Sequence, residues 1–340
     1  MPFQDHDKVT IAHGGGGRLT DELIRGVILP AFGEAARSAT PTDSAVLAAG
    51  EGRLAFTTDS YVVRPLFFPG GDIGRLAVNG TVNDLAMAGA TPLALSTAFV
   101  LEEGVEIATV ARVAEAMGEA ALEAGVELVT GDTKVVDAGL ADGMYITTSG
   151  VGRIADDVDV RPERATAGDC VILSGPIGLH GTAVLSVREG LEFGGEIRSD
   201  CAPLNGLVDV MLATGADVRV LRDLTRGGLA SSLCEIAEVA RVGIDYDEVA
   251  VPVPPAVDAA CGFLGLDPVH VANEGKLVAI VPEADVDRIV AAMRSHPHGQ
   301  DAVVIGRVAD GPAGIVTART RLGAHRIVDR PLGEQLPRIC

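Results

Sequence analysis

The stretch from Phe56 to Leu95, FTTDSYVVRPLFFPGGDIGRLAVNGTVNDLAMAGATPLAL, constrains this chain most. A short apolar strand, Leu54–Thr57, runs into Thr58-Asp59-Ser60. Pro69-Gly70-Gly71-Asp72 reads as a turn ending on a helix N-cap, because an Asp side chain accepts from the open N–H groups of a first turn. The helix that follows stops at Gly89, ahead of Pro92. Ala77, Gly80, Thr81, Asp84 and Ala88 recur at spacings of three and four and so share one face. A carboxylate on a face of small residues has two readings. Either the helix packs tightly on a sheet with Asp84 capped or solvated, or the small face admits a ligand that Asp84 serves. A bulky core would exclude the charge, since an unpaired buried carboxylate is costly.

The rest of the chain bears on that choice. At 340 residues there is room for two domains. The cores must be built from Ala, Val, Leu and Ile, because aromatics are 3% of the chain and Trp is absent. A net charge of −20 argues against nucleic acid and anionic membranes as partners, both of which need clustered Lys and Arg. A polyphosphate ligand would therefore need metal ions, backbone N–H groups or a few placed cations. Lysine occurs only at Lys8, Lys134 and Lys276. The five cysteines are Cys170, Cys201, Cys234, Cys261 and Cys340; their odd number and lack of CxxC spacing fit free thiols in a reducing cytoplasm. No signal peptide and no membrane-length apolar run is visible.

Gly14, Gly15, Gly16 and Gly17 precede a helical pattern. Such a loop is either an anion cradle or a mobile linker, and no GxxxxGK[ST] motif makes it a P-loop. Asp43 stands just before an apolar strand at Ala45–Leu47. A helix is expected over Val105–Leu122 and a strand over Val126–Val129, ending in Thr130-Gly131-Asp132-Thr133-Lys134. A further strand covers Tyr145–Ile154. The region 155–168 is poor in apolar residues and reads as a boundary. The second half is expected to hold strands at Cys170–Leu173, Val218–Leu221, Leu277–Val281 and Ala302–Val308. Its helices are expected at Gly181–Val187, Leu204–Leu212, from the Asp223-Leu224-Thr225-Arg226-Gly227-Gly228 loop to about Arg241, and at Val286–Met293. Pro252–Pro255 reads as a rigid loop. Strand ends carrying Asp recur, and strand ends are where α/β proteins place ligands. Carboxylates converging without matching lysines suggest a divalent cation with oxygen ligands, of which Mg²⁺ is the natural fit. After Asp329 the chain reads RPLGEQLPRIC, an arm broken by Pro331, Gly333 and Pro337. Its cysteine is either an incidental thiol or a carrier of a group delivered to a site.

TTDSYVVRPLFFPGGDIG, GTVNDLAMAGATPL, TGDTKVV, DLTRGGLA, NEGK and the ending PRIC together resemble the HypE family, the carbamoyl dehydratases of nickel–iron hydrogenase maturation. That family lies within a group that includes aminoimidazole ribonucleotide synthetase, thiamine monophosphate kinase and selenophosphate synthetase. The resemblance runs from the glycine loop to Cys340; residues 190–202 and 309–325 match no motif. It implies a two-domain mixed α/β fold: residues 1–155 as an ATP-binding and dimerisation domain, 165–330 as a second α/β domain, and 331–340 as a flexible tail. It implies N-terminal domains paired in a homodimer and ATP near that interface. Mg²⁺ or its water would be held by Asp43, Asp59, Asp84, Asp132 and Asp223. Asn83 and Thr133 would neighbour the phosphates, and Gly14–Gly17 would close over the nucleotide. Cys340 would carry a carbamoyl group, with Lys134 and Glu274 as candidates for base and electrostatic helper. The donor would be a carbamoyltransferase of HypF type and the acceptor an iron scaffold of HypC and HypD type. Two other readings compete: a small-molecule kinase or ligase of the same group with Cys340 incidental, and a non-enzymatic acidic scaffold.

Overall fold

The computed structural model describes residues 17–23, 45–48, 52–191 and 197–331. The first part comprises α1 (Arg18–Leu23), β1 (Ala45–Ala48), β2 (Arg53–Tyr61), β3 (Phe67–Phe68), β4 (Gly71–Asp72), α2 (Ile73–Met87), β5 (Ala90–Glu102), α3 (Ile107–Ala124), β6 (Glu127–Val136) and β7 (Met144–Ile154). Five strands form a sheet in the order β1-β2-β7-β5-β6, antiparallel except for the β5–β6 pair. The expected cap is present. Asp72 accepts from the N–H groups of Gly74 at 2.8 Å and Arg75 at 3.0 Å, an arrangement worth about 1 kcal/mol.

Three elements differ from the sequence expectation. β2 is twice as long as the apolar run suggested, so Asp59 lies within the strand and not beyond it. β6 likewise continues through the TGDTK segment, which makes Asp132, Thr133 and Lys134 strand residues. β5 was not anticipated at all, because Pro92 breaks its pattern. The proline sits where the β5–β7 register shifts between Pro92 and Ala94, an irregularity that tolerates a missing N–H.

The second part comprises β8 (Cys170–Leu173), α4 (Leu179–Glu189), α5 (Asn205–Leu212), β9 (Val220–Asp223), α6 (Gly228–Ala240), β10 (Gly243–Asp247), α7 (Pro255–Leu264), β11 (Leu277–Val281), α8 (Val286–Arg294), β12 (Val303–Ala309), β13 (Val316–Arg319) and β14 (His325–Val328). Its seven-stranded sheet has the order β14-β13-β10-β12-β8-β11-β9. β8 and β11 read CVIL and LVAIV and are buried throughout, as central strands covered on both faces must be. Leu229, Leu233 and Ile236 of α6 pack with one cluster of sheet residues; Leu207 and Met211 of α5 and Ile289 and Met293 of α8 pack with another. The expected rigid loop at Pro252–Pro255 ends by starting α7, with Pro255 at a first-turn position where its missing N–H costs nothing.

α2 belongs to both halves. Of its fifteen residues only Arg75 and Asp84 escape full burial. Leu76, Val82 and Leu85 join the N-terminal core, while Ala86 and Met87 join the cluster built on α5 and α8. A helix covered on all sides must carry small residues where backbones come close. A Cβ at Gly80 would collide with the Tyr61 hydroxyl, and Thr148 donates to the Ala77 carbonyl at 3.0 Å. Tight packing on the sheet, the first reading of the small face, is correct for Ala77, Gly80 and Thr81.

Candidate active site

Asp84 is the exception on that face. It points across to β2, where the Thr57 hydroxyl donates to its Oδ2 at 2.8 Å. Asp59 follows two residues along β2 on the same side of the strand. Asp223 ends β9 and is buried. These three acids share one field. Burial, then the charges of Asp223 and Asp59, push the Asp84 carboxyl well above the usual carboxylate range, against the Thr57 hydrogen bond and the Arg226 guanidinium. Asp223 is raised too, by burial first; Arg222 and Arg226 oppose the rise and Asp59 adds to it. Such a set is short of positive charge, and a divalent cation or a proton would relieve it. Among the described residues no three His, Cys, Asp or Glu side chains already stand at metal-ligand spacing. A cation held here would complete its shell with phosphate oxygens, water or residues beyond those described.

Arg226 was not singled out from the sequence, although a cation in a loop that also carries Asp223 was the available signal. The loop meets both ends of the described chain. Gly17 is buried at the start of α1, the Arg18 N–H donates to the Pro331 carbonyl at 3.2 Å, and a Cβ at Gly227 would lie 4.0 Å from Pro331 Cδ. The end of the glycine loop, the root of the tail and the Asp223 loop therefore adjoin. Gly14, Gly15, Gly16, Asp43 and Cys340 lie outside the described residues.

Asn83 is spent on structure. Its Oδ1 accepts from the Leu204 N–H at 2.7 Å, and its Nδ2 donates to the carbonyls of Ala202 at 3.1 Å and Glu274 at 3.4 Å. Glu274 is 3% exposed. It lies near enough to Cys201 that its charge, after burial itself, raises that thiol. Burial raises the other three described thiols as well, Cys234 to about 12. None of the four is a ready thiolate at neutral pH.

Asp132 and Lys134 do not join this group within the chain. Asp59, Thr148, Thr97 and Gly131 form one row across β2, β7, β5 and β6, and Thr148 bonds to α2, so that row faces the helix. Asp132 follows Gly131 and projects from the opposite face, as does Lys134. The two form an exposed ion pair at 2.7 Å. The expectation that Asp132 joins the other aspartates around a cation is thus corrected within a single protomer. Thr133 lies on β6 opposite Phe99. The same sheet exposes Phe56, Leu93, Val129 and Val135.

Residues 41–154 and 166–319 match the N-terminal and C-terminal domain models of the AIR synthase related proteins. The carbamoyl dehydratase HypE of Rhizobium leguminosarum bv. viciae is 52% identical over 98% of this chain and 95% of that protein. The chain belongs to the HypE family. Its two-domain mixed α/β fold is the family's. A crystal structure of HypE in complex with ATP is 46% identical, covers 98% of this chain and all of that one, and gives a TM-score of 0.82. The structure of a HypE–HypF complex is 47% identical over 91% of this chain and 99% of that one, with a TM-score of 0.85. Among the described residues no helix is long and apolar enough to cross a membrane.

Proposed function

We propose that this chain is an ATP-dependent carbamoyl dehydratase of the cytoplasm, acting on its own Cys340 during nickel–iron hydrogenase maturation. The product thiocyanate would supply a cyanide ligand to iron. The observation that carries the reading is the position of Pro331 beside the Asp223–Gly228 loop. Cys340 lies nine positions beyond Pro331, a reach of up to about 30 Å, enough to bring the thiol to the acidic junction. The described cysteines are raised by burial and suit this role poorly.

The chemistry follows from the leaving group. A thiocarbamate, S–C(=O)–NH₂, becomes S–C≡N by losing two N–H protons and its oxygen, and oxide does not leave. Transfer of the ATP γ-phosphoryl group to the carbonyl oxygen makes phosphate the leaving group, and ADP the other product. Asp59, Asp84 and Asp223 would hold Mg²⁺, which neutralises phosphate charge; Asp43 would join them. Arg226 faces the same charge, and Gly14–Gly17 would close over the nucleotide near Thr133, with Asn83 fixing the helix behind it. Glu274 suits proton removal, since its carboxylate is buried beside the junction.

Lys134 and Asp132 enter through a homodimer. Pairing of N-terminal domains on the uncovered side of the five-stranded sheet would bury Phe56 and present Asp132 and Lys134 to the second protomer. Residues 1–155 form the ATP-binding and dimerisation domain in this reading, 165–330 the second domain and 331–340 the tail. A HypF-type carbamoyltransferase would load Cys340, and a HypC and HypD type iron scaffold would accept the cyano group.

The test is to carbamoylate the protein with such a transferase, add Mg-ATP and read the C-terminal peptide by tandem mass spectrometry. Gain of a carbamoyl group at Cys340, followed by ATP-dependent loss of one water, is expected. ATP hydrolysis with Cys340 untouched would favour a free small-molecule substrate. Absence of hydrolysis would favour a scaffold.

A further inference from the structure

Residues 197–204 overlap the stretch 190–202 that carries no recognisable motif, yet they run between the two domains and touch both. On one side the Ser199 N–H donates to the Pro69 carbonyl at 2.8 Å, while its hydroxyl shares a hydrogen bond at 2.8 Å with Nδ1 of His180 on α4 of the second domain. Asn79 Nδ2 donates to Cys201 Sγ at 3.4 Å, and Asn83 holds Ala202 and Leu204 as above. On the other side the segment grips Glu274. Asp200 Oδ1 accepts the Glu274 N–H at 3.1 Å, and the Ala202 N–H donates to the Glu274 carbonyl at 3.3 Å. With Asn83, both backbone groups of Glu274 are fixed. The Asp200 side chain is 2% exposed, and its Oδ2 lies 3.5 Å from Lys276 Nζ, which also donates to the Gly275 carbonyl at 3.0 Å. A Cβ at Gly275 would collide with the Asp200 carbonyl, so the two strands of chain are pressed together.

A buried carboxylate aimed at a backbone N–H makes a strong, directional contact, and it needs a nearby cation to be tolerated. One of the chain's three lysines stands there. We propose that Asp200, with Lys276 as its counter-charge, positions Glu274 for proton transfer in the dehydration. The proposal rests on the catalytic reading of Glu274 given above. Asp200 would not touch the carbamoyl group; it sets the backbone from which the Glu274 side chain projects. It also links that backbone to α2 through the segment it belongs to, so the base and the acidic cluster are referenced to one helix.

The test uses full-length protein carbamoylated at Cys340, with thiocyanate formation followed by mass spectrometry and amide exchange read at Glu274 and Gly275. Asp200→Ala should lower kcat by about 10–100-fold, the scale of a misplaced catalytic group, with the KM for ATP within about twofold. Its Glu274 amide should exchange at least about tenfold faster. Asp200→Asn keeps the acceptor oxygen and should hold both kcat and amide protection within about threefold of the parent. Should Asp200→Ala fail to fold, Lys276→Met decides: it leaves Asp200 without its cation and should lower kcat by about 5–10-fold at unchanged KM for ATP. Parental turnover in a folded Asp200→Ala or Lys276→Met protein overturns the proposal. So does a loss of ATP affinity that matches the loss of turnover. If the parent itself forms no thiocyanate, the catalytic reading fails, while the exchange data still report whether Asp200 fixes Glu274.

Discussion

Glu274 and Lys134 carry the same expected task and occupy opposite environments. Glu274 is buried between domains with its backbone tied to Asp200, Ala202 and Asn83. Lys134 sits on the edge strand β6, exposed, on the face of the sheet turned away from α2, and pairs with Asp132. One site is complete in its scaffolding; the other awaits a surface. Under the proposed mechanism, Lys134 reaches the Glu274 site from a neighbouring protomer.

The largest effect tests that implication. Glu274→Gln and Lys134→Ala should each lower thiocyanate formation by about 10²–10⁴-fold, the usual contribution of a positioned proton-transfer group. Mixing the two variants under conditions that exchange subunits should restore about a quarter of parental activity, because half of the dimers are mixed and each holds one intact site. Mixtures as inactive as the parts would place both residues in one protomer and break the comparison.

The acidic cluster gives the next effect. Asp84→Asn should weaken Mg-ATP binding by about 10–100-fold in a titration. Its effect on stability has the opposite sign. The folded-state pKa of Asp84 is raised, so the native protein holds that proton more tightly than the unfolded chain does. Stability of the metal-free protein therefore falls as pH rises from the ordinary carboxylate range through the raised value. The Asn variant lacks this cost and should melt about 2–4 °C above the parent at neutral pH without Mg²⁺. Mg-ATP should narrow the gap by stabilising the parent more than the variant. A variant that melts lower than the parent would contradict the reading of a strained cluster.

The smallest effect concerns the exposed face. Phe56→Asp should weaken dimerisation by at least about tenfold in sedimentation velocity, since a charge replaces apolar area at the interface. Far-ultraviolet circular dichroism should stay parental. An unchanged dimer would move the interface elsewhere and leave Lys134 without the role given to it.

The local chemistry of the chain was legible wherever it depends on neighbours in sequence. Asp72 followed by a helical pattern is a cap, CVIL and LVAIV are buried strands, and DLTRGG is a strand end opening a helix. The motifs also placed the chain in its family. Of the five aspartates whose motifs point to one site, Asp59, Asp84 and Asp223 have overlapping fields, Asp132 pairs with Lys134 on the other face of the sheet, and Asp43 lies outside the described residues. Pro92 hid β5, and β13 and β14 lie in or beside 309–325, which carried no pattern strong enough to read.

What tertiary structure alone decided is which way side chains face and what lies beside them. The register shift between Leu95 and Ser96 in the β5–β6 ladder displaces the following residues by one. With a period of two, a single-residue shift exchanges the faces of a strand. Asp132 and Lys134 consequently leave the junction that their motif seemed to share with Asp59. Asp200 is the converse. Its segment has no recognisable motif, and only the folding of residues 197–204 against α2 and Glu274 gives that carboxylate a partner. Sequence determines caps, periods and chemical types, because these act over a few residues; the junction is built from contacts 27 to 191 residues apart, and only packing fixes those.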